Sequence, residues 1–385
     1  MVELLSNPYG GVDWSFISVH RANLHGHSDR QHGERFESAI PPQGHIEEYK
    51  RQTDTTVLAI TDRAFSDIQD PPEPTYPWDD FESMDGPNSE NYENVDPEEV
   101  GLIPVLGREN QNDSEGNGIH HVITLFTDYG SSLDASNSTS ELEVFEELQE
   151  WEDGRFVDTW KEYDPIAWLA HPGRYHDASE WESYLDHFNA GSHVIGLEIW
   201  NQGLSRYDRN DEKLWDVLLS NLMPDRPIYA LGVDDGHCWE EGNDFDMAHV
   251  QLLLSDFSAE AVHRSLQNGW FHAARHDPVG AIAPTINFVD VDLDEQVITV
   301  NGDDYEAIEW ISNGDVIHHG RSLPYGEMEI HNYARAVAKS DTGGETTTQA
   351  FGFPSKDIEW TFQSSRKPLR TLPKGAAKAI LSRLR

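Results

Sequence analysis

The 385 residues read as an α/β chain that ends in a smaller all-β segment, for three reasons. Short apolar runs alternate with helical stretches from about residue 15 to 275. Most of those runs stop at a polar residue suited to chemistry. Beyond about residue 277 the text turns to strand-like alternation with turn dipeptides.

Taken in order, residues 57–60, 102–106, 122–126, 166–170, 194–199 and 228–233 are apolar runs of strand length and read as buried strands. Asp62, Glu109, His171, Asn201 and Asp235 stand at or just past their ends, where α/β barrels gather their active groups. Ser140-x-x-Glu143 is a capping box that opens a helix in which Leu142, Phe145, Leu148 and Trp151 recur. A second helix is expected over residues 255–266. Residues 66–100, rich in Pro, Asp, Glu and Asn and without periodicity, read as an acidic surface loop. In the last part, residues 286–288, 289–293, 297–300 and 308–310 read as strands, with Asn301-Gly and Asn313-Gly as turns. The expected organisation is a unit over residues 1–277, a β-rich unit over 278–363, and a basic tail over 364–385. That tail holds Arg366, Lys367, Arg370, Lys374, Lys378, Arg383 and Arg385 and no acid.

Composition narrows the classes. With 37% hydrophobic and 10% aromatic residues the chain can pack cores. Its 70 acidic against 27 basic residues leave a formal charge of -43, a self-repulsion that high salt screens, since the Debye length falls to about 3 Å at 1 M. The acidity, spread along the whole chain, reads as a halophile's solvent adaptation. The single cysteine, Cys238, excludes an internal disulfide. No signal peptide and no apolar stretch of membrane-spanning length is visible, so a cytoplasmic protein is expected. There is no Walker-type loop and no Gly-x-Ser-x-Gly elbow, and Cys238 lacks a separate base that would make it a nucleophile.

Chemistry concentrates in five short segments: Asn23-Leu-His25-Gly-His27-Ser28, Gly107-Arg-Glu109, His120-His121, Ala170-His171-Pro172 and Asp234-Asp235-Gly-His237. Imidazoles mixed with carboxylates suit Zn²⁺, Mn²⁺ or Fe²⁺ better than Mg²⁺, and the lack of cysteine ligands argues against a structural zinc site. Two ions about 3.5–4 Å apart would activate a shared water and neutralise phosphoryl oxygens, which makes phosphate-ester hydrolysis the natural reaction. Side-chain alternation lets only one of His120 and His121 face such a site. Asp62, Glu198 and Asn201 read equally as groups orienting the ligands and as helix caps.

In their order and neighbours these segments, with Leu-Ala-Ile-Thr-Asp62, Ala-His-Pro-Gly-Arg174-Tyr and Gly-Leu-Glu198-Ile-Trp-Asn201, resemble the PHP (polymerase and histidinol phosphatase) superfamily of metal-dependent phosphoesterases. The resemblance covers about residues 20–275 and extends weakly into the β segment. It implies a distorted (β/α)7 barrel. It further implies that His25, His27, Glu109 and Asp235 bind a first ion, and that Glu109 bridges to a second held by His121 and His171. A third position would use His32, His237 and the histidine that follows Thr-Asp in the family, where this chain has Arg63.

A guanidinium has no lone pair for a cation. Either the third ion is absent or held by His32 and His237 alone, or those two hydrogen-bond around a two-ion centre. Arg63 and Arg174 are expected to clamp a substrate phosphate. His237 is the candidate for assisting the leaving group or water. The substrate expected is a small phosphorylated metabolite or nucleotide. Two rivals stand beside it: an exonuclease-like phosphodiesterase on nucleic-acid ends, favoured only by the basic tail, and a non-catalytic binding protein on the same barrel. The sequence does not fix the oligomeric state.

Overall fold

Runs of Val, Ile, Leu and Trp that need cover on both faces set the frame. The computed structural model describes residues 2–28, 40–62, 92, 95–114, 118–127, 129, 140–150, 163–174, 178–201, 211–236, 245–276 and 281–360. In chain order the strands are β1 (Ser18–Asn23), β2 (Thr55–Leu58), β3 (Ile103–Pro104), β4 (Gly107–Ser114), β5 (Gly118–Leu125), β6 (Ile166–Ala170), β7 (Val194–Asn201), β8 (Tyr229–Val233), β9 (Ala248–Leu254) and β10 (Phe271–Arg275). They continue as β11 (Thr285–Asp292), β12 (Val297–Asp303), β13 (Ala307–Ser312), β14 (Asp315–His319), β15 (Ser322–Leu323), β16 (Tyr333–Lys339), β17 (Glu345–Thr347) and β18 (Phe351–Gly352). The α-helices are α1 (Pro42–Gln52), α2 (Glu141–Glu150), α3 (Leu185–Asn189), α4 (Asp211–Leu222) and α5 (Ala259–Asn268). Among the described residues, no helix is long and apolar enough to cross a membrane.

Three sheets form. One, of ten strands, runs β14-β13-β16-β17-β10-β9-β1-β2-β3 with β18 beside β16; a second runs β4-β5-β6-β7-β8; a third is β11-β12-β15. Every residue of β6 and β7 is buried, as expected of strands covered on both faces. One side of the second sheet places Ile123, Leu125, Trp168, Ala170, Ile195 and Leu231 in a core shared with β1, β2 and β9. Its other side packs Val122, Leu169 and Leu197 against Phe145 of α2, Phe188 of α3 and Leu218 of α4. Gly232 lets β8 close onto the first sheet: a Cβ there would lie 2.7 Å from the Ala274 carbonyl and 2.9 Å from that of His249.

The architecture is mixed α/β with several sheets and few helices, and the described residues do not display a strict sevenfold β/α alternation. Only residues 115–117 separate β4 from β5, too few for the crossover a parallel pair requires, so these two pair antiparallel, and β6 also runs antiparallel to β5. β9 likewise runs antiparallel to β1 and β10. The expected α2 forms with Ser140 Oγ accepting from the Glu143 N–H (3.2 Å), and α5 with Ser258 Oγ accepting from Ala261 (3.1 Å).

After residue 281 the described elements are strands and one short 3₁₀ turn. They enclose a third core that contains Ile286, Val300, Trp310 and Phe353 and also takes Tyr9 and Leu253 from earlier in the chain. The first sheet crosses residue 277 without interruption, because β17 pairs with β10. Asn313-Gly314 makes the two-residue β13–β14 turn, with φ of 50° and 79°. Asn301-Gly302 is not a turn: it lies inside β12, paired with β11 where the register slips.

Candidate metal centre

Four chain segments meet edge to edge beyond the ends of β1, β2 and β8 and at the start of β4. Asp235 N–H donates to the His25 carbonyl (3.0 Å), His27 N–H to Gly236 (2.8 Å), Thr61 N–H to Gly26 (2.8 Å) and Glu109 N–H to Thr61 (2.9 Å). His25 and His27, two apart on extended chain, therefore project to the same side. There they meet Asp235 from beyond β8, Glu109 from β4, His121 from β5 and His171 just past β6. All six side chains are buried.

The contacts are close. His25 Nε2 lies 3.2 Å from His27 Nε2 and 3.2 Å from Asp235 Oδ1, and His27 Nε2 lies 3.1 Å from the same Asp235 oxygen. Glu109 faces both ways. Its Oε2 is 3.0 Å from His27 Nε2, while its Oε1 is 2.5 Å from His121 Nδ1, 3.1 Å from His171 Nε2 and 3.6 Å from His25 Nε2. His121 Nδ1 and His171 Nε2 are 3.2 Å apart. Two groups within this set, His25–His27–Asp235 and His25–Glu109–His171, bring their ligand atoms within 4.8 Å of one another. Four imidazoles and two carboxylates converging at this range make a mixed nitrogen and oxygen donor set that fits divalent transition metals.

Further groups hold the cluster in place. Glu198 Oε1 accepts from His25 Nδ1 (2.7 Å) and Trp168 Nε1 (3.1 Å), and Oε2 from the His171 N–H (2.8 Å) and Asn201 Nδ2 (2.7 Å). Asp234, next to Asp235, accepts from Asn23 Nδ2 (2.6 Å), the Tyr49 hydroxyl (2.9 Å) and the N–H groups of Asp246, Met247 and Ala248. Asp62 accepts from Ser28 N–H (2.7 Å) and from its hydroxyl, and His45 reaches the His27 carbonyl at 2.9 Å. His171 and Asp235 have φ of 33° and 49°, a left-handed conformation that costs a non-glycine residue about 1–3 kcal/mol and persists only where its surroundings impose it.

The electrostatics follow the partners. Burial pushes the His25 imidazole down, and the carboxylates of Glu198, Asp235 and Glu109 more than reverse this, leaving it well above its ordinary range. Burial pushes Glu198 up, and the imidazoles of His25 and His171 bring it below its usual value. Burial dominates for Asp234, which stands at about 6, and for His45, at about 4.

No family model and no curated protein matches the chain. Among solved structures it is similar to a two-domain protein from Bacteroides vulgatus containing a predicted PHP-like metal-dependent phosphoesterase. That likeness has 13% identity, 90% coverage of each chain and a TM-score of 0.44. A likeness so distant leaves the chemistry to be read from the site itself.

Of the residues singled out from sequence, His25, His27, Glu109, His121, His171 and Asp235 come together. Glu109 lies within β4 rather than past a strand end, since the apolar run at 102–106 breaks after Pro104 and pairing resumes at Gly107. Arg174 is exposed on the 3₁₀ turn Pro172–Arg174 that follows His171. His32, Arg63 and His237 lie outside the described residues, as does most of the acidic segment 66–100 and the basic tail. Asp234, Tyr49 and Trp168 were not anticipated as supports. Asp234 alone carried a signal, its place in Asp-Asp-Gly-His.

Proposed function

We propose that this chain is a metal-dependent phosphoesterase acting on a small phosphorylated metabolite or nucleotide, and that the buried cluster is its metal centre. The observation carrying this reading is Glu109, whose two oxygens face imidazoles on opposite sides in a buried site, as a bridging carboxylate requires. His25, His27 and Asp235 would hold one ion with Glu109, and His121 and His171 the other. Divalent ions bound there would supply an activated water at neutral pH and charge neutralisation for the phosphoryl oxygens. Zn²⁺, Mn²⁺ and Fe²⁺ fit the donors, and a third ion would rest on His32 and His237, with Arg63 unable to contribute.

The other roles belong to the chain. Arg174, exposed beside His171, and Arg63 would bind the phosphate, and His237 would move a proton at the leaving group or water. Asn201 and Trp168 keep Glu198 in place, which keeps His25 aimed. In this reading the two facing sheets are the walls of a distorted barrel. The divisions proposed are 277/278 and 363/364, with the first sheet shared across the former, and the acidity is read as an adaptation to a salt-rich cytoplasm. Hydrolysis of an aryl phosphate with Mn²⁺ is the direct test. Activity that vanishes in His25→Ala and in His171→Ala supports the site; slow turnover retained equally in both would remove it.

A further inference from the structure

We infer that Glu198 is a positioning residue that couples the two halves of the centre, so that its hold on His25 and its hold on His171 are one interaction. This rests on the metal-centre reading above and is independent of which ester is cleaved. A carboxylate is an acceptor only, so the 2.7 Å contact from Oε1 fixes His25 Nδ1 as an N–H donor and turns Nε2 toward Asp235 and Glu109, as the nitrogen that would lose its proton to bind an ion. The opposite oxygen takes the backbone N–H of His171, a residue whose φ of 33° needs an imposed partner. Thus one side chain, 173 residues from His25 and 27 from His171, sets a ring on the first half and a backbone conformation on the second.

The donor count makes the coupling testable. Each oxygen of Glu198 receives two donors: His25 Nδ1 and Trp168 Nε1 on one, His171 N and Asn201 Nδ2 on the other. An amide of the same shape has one acceptor end. In Glu198→Gln, whichever end the amide nitrogen takes meets two N–H groups, so it must disturb either the His25 tautomer or the His171 backbone. Residues supporting metal ligands typically contribute 10–100-fold in affinity.

The experiment is calorimetric titration of Mn²⁺ alone into the full-length metal-free chain, with circular dichroism confirming that each variant is folded. The expected result is that Glu198→Gln weakens every Mn²⁺ binding event by about 10-fold or more, whereas His121→Ala weakens one event and spares another. Asn201→Ala, which removes one donor to Oε2 and no charge, should lose several-fold and serves if Glu198→Gln does not fold. Wild-type and Glu198→Gln chains with equal affinity and stoichiometry would overturn the coupling and leave the centre standing. A wild-type chain that takes up no divalent ion would overturn the centre and this inference together.

Discussion

Two charge clusters in this molecule, each centred on a buried carboxylate, differ in what neutralises them. On α4, Asp216 and Glu212 face Arg335 of β16: Arg335 Nε donates to Asp216 Oδ1 (2.9 Å), and Nη2 to Asp216 Oδ2 (3.0 Å) and Glu212 Oε1 (2.9 Å). The Tyr333 hydroxyl adds a bond to Asp216 (2.6 Å), and the guanidinium lies 4.9 Å over the Trp215 ring. A permanently charged group of the chain completes that cluster, which clamps α4 onto the carboxyl-terminal strands. In the other cluster the described side-chain partners of Glu109 and Asp235 are imidazoles, whose protons a bound divalent cation would displace. The guanidinium closes the first cluster from within the chain, and on the reading proposed above a divalent ion would close the second.

The sharpest break between the two comes from removing one member of each. His25→Ala should lower Mn²⁺-dependent hydrolysis by more than about 100-fold, beyond what loss of a supporting group alone does. Arg335→Met should keep the activity of each folded molecule. It should cost about 3–5 kcal/mol of stability, because Asp216 is left buried without its cation. Denaturant unfolding and initial rates on the same preparations separate these effects, and an Arg335→Met chain with wild-type stability would end the distinction.

Metal itself gives the next largest contrast. At a free ion concentration of about 100 times Kd, binding to the folded state alone adds about 2.7 kcal/mol. Thermal unfolding with and without a chelator should show that rise in the wild type and in Arg335→Met, and its loss in His25→Ala. A rise of the same size in all three would place the ion elsewhere.

Much of this was legible in the sequence, and the parts that were not have physical reasons. The continuous apolar runs of β6, β7 and β8 announced strands covered on both faces, and the candidate metal-binding residues stood out because imidazoles and carboxylates gather in a few short segments. Helix α1 left no such trace: of its eleven residues only Ile46 and Tyr49 are large, buried and apolar, and Gly44 interrupts it. Helix α4 carries Leu214, Val217 and Leu218 at helical spacing, a local pattern that marks a helix. Contacts such as Tyr49 with Asp234, 185 residues apart, have no local signature at all.

Histidine sharpens the comparison through pH. His272 is fully buried, with Nδ1 2.8 Å from the Tyr9 hydroxyl, and burial alone takes its pKa from 6.5 to about 3. Its folded pKa is the lower one, so the unfolded chain binds more protons between about pH 3 and 6.5. Stability must therefore rise with pH across that window and fall as acid is added. Replacing the ring, as in His272→Phe, should flatten the slope by up to about 1.4 kcal/mol per pH unit. Urea unfolding at pH 4, 5 and 6 reads it, and an unchanged slope would mean that the ring is not held neutral.

The smallest expected effect tests whether the Arg335 side is packed as tightly as its charges imply. Asn313 Oδ1 accepts from Ser220 of α4 (2.9 Å), so the β13–β14 turn docks beside the clamp. Gly314 holds φ of 79°, and a Cβ there would meet the Trp360 ring at 2.9 Å. Gly314→Ala should lose about 1–2 kcal/mol, from the left-handed backbone alone, in denaturant unfolding. Mn²⁺ affinity should stay the same, because among the described residues this turn makes no hydrogen bond to the imidazole cluster and distant sites act additively. A Gly314→Ala chain that binds Mn²⁺ more weakly would show that the two clusters are not independent, and that the clamp helps to set the centre.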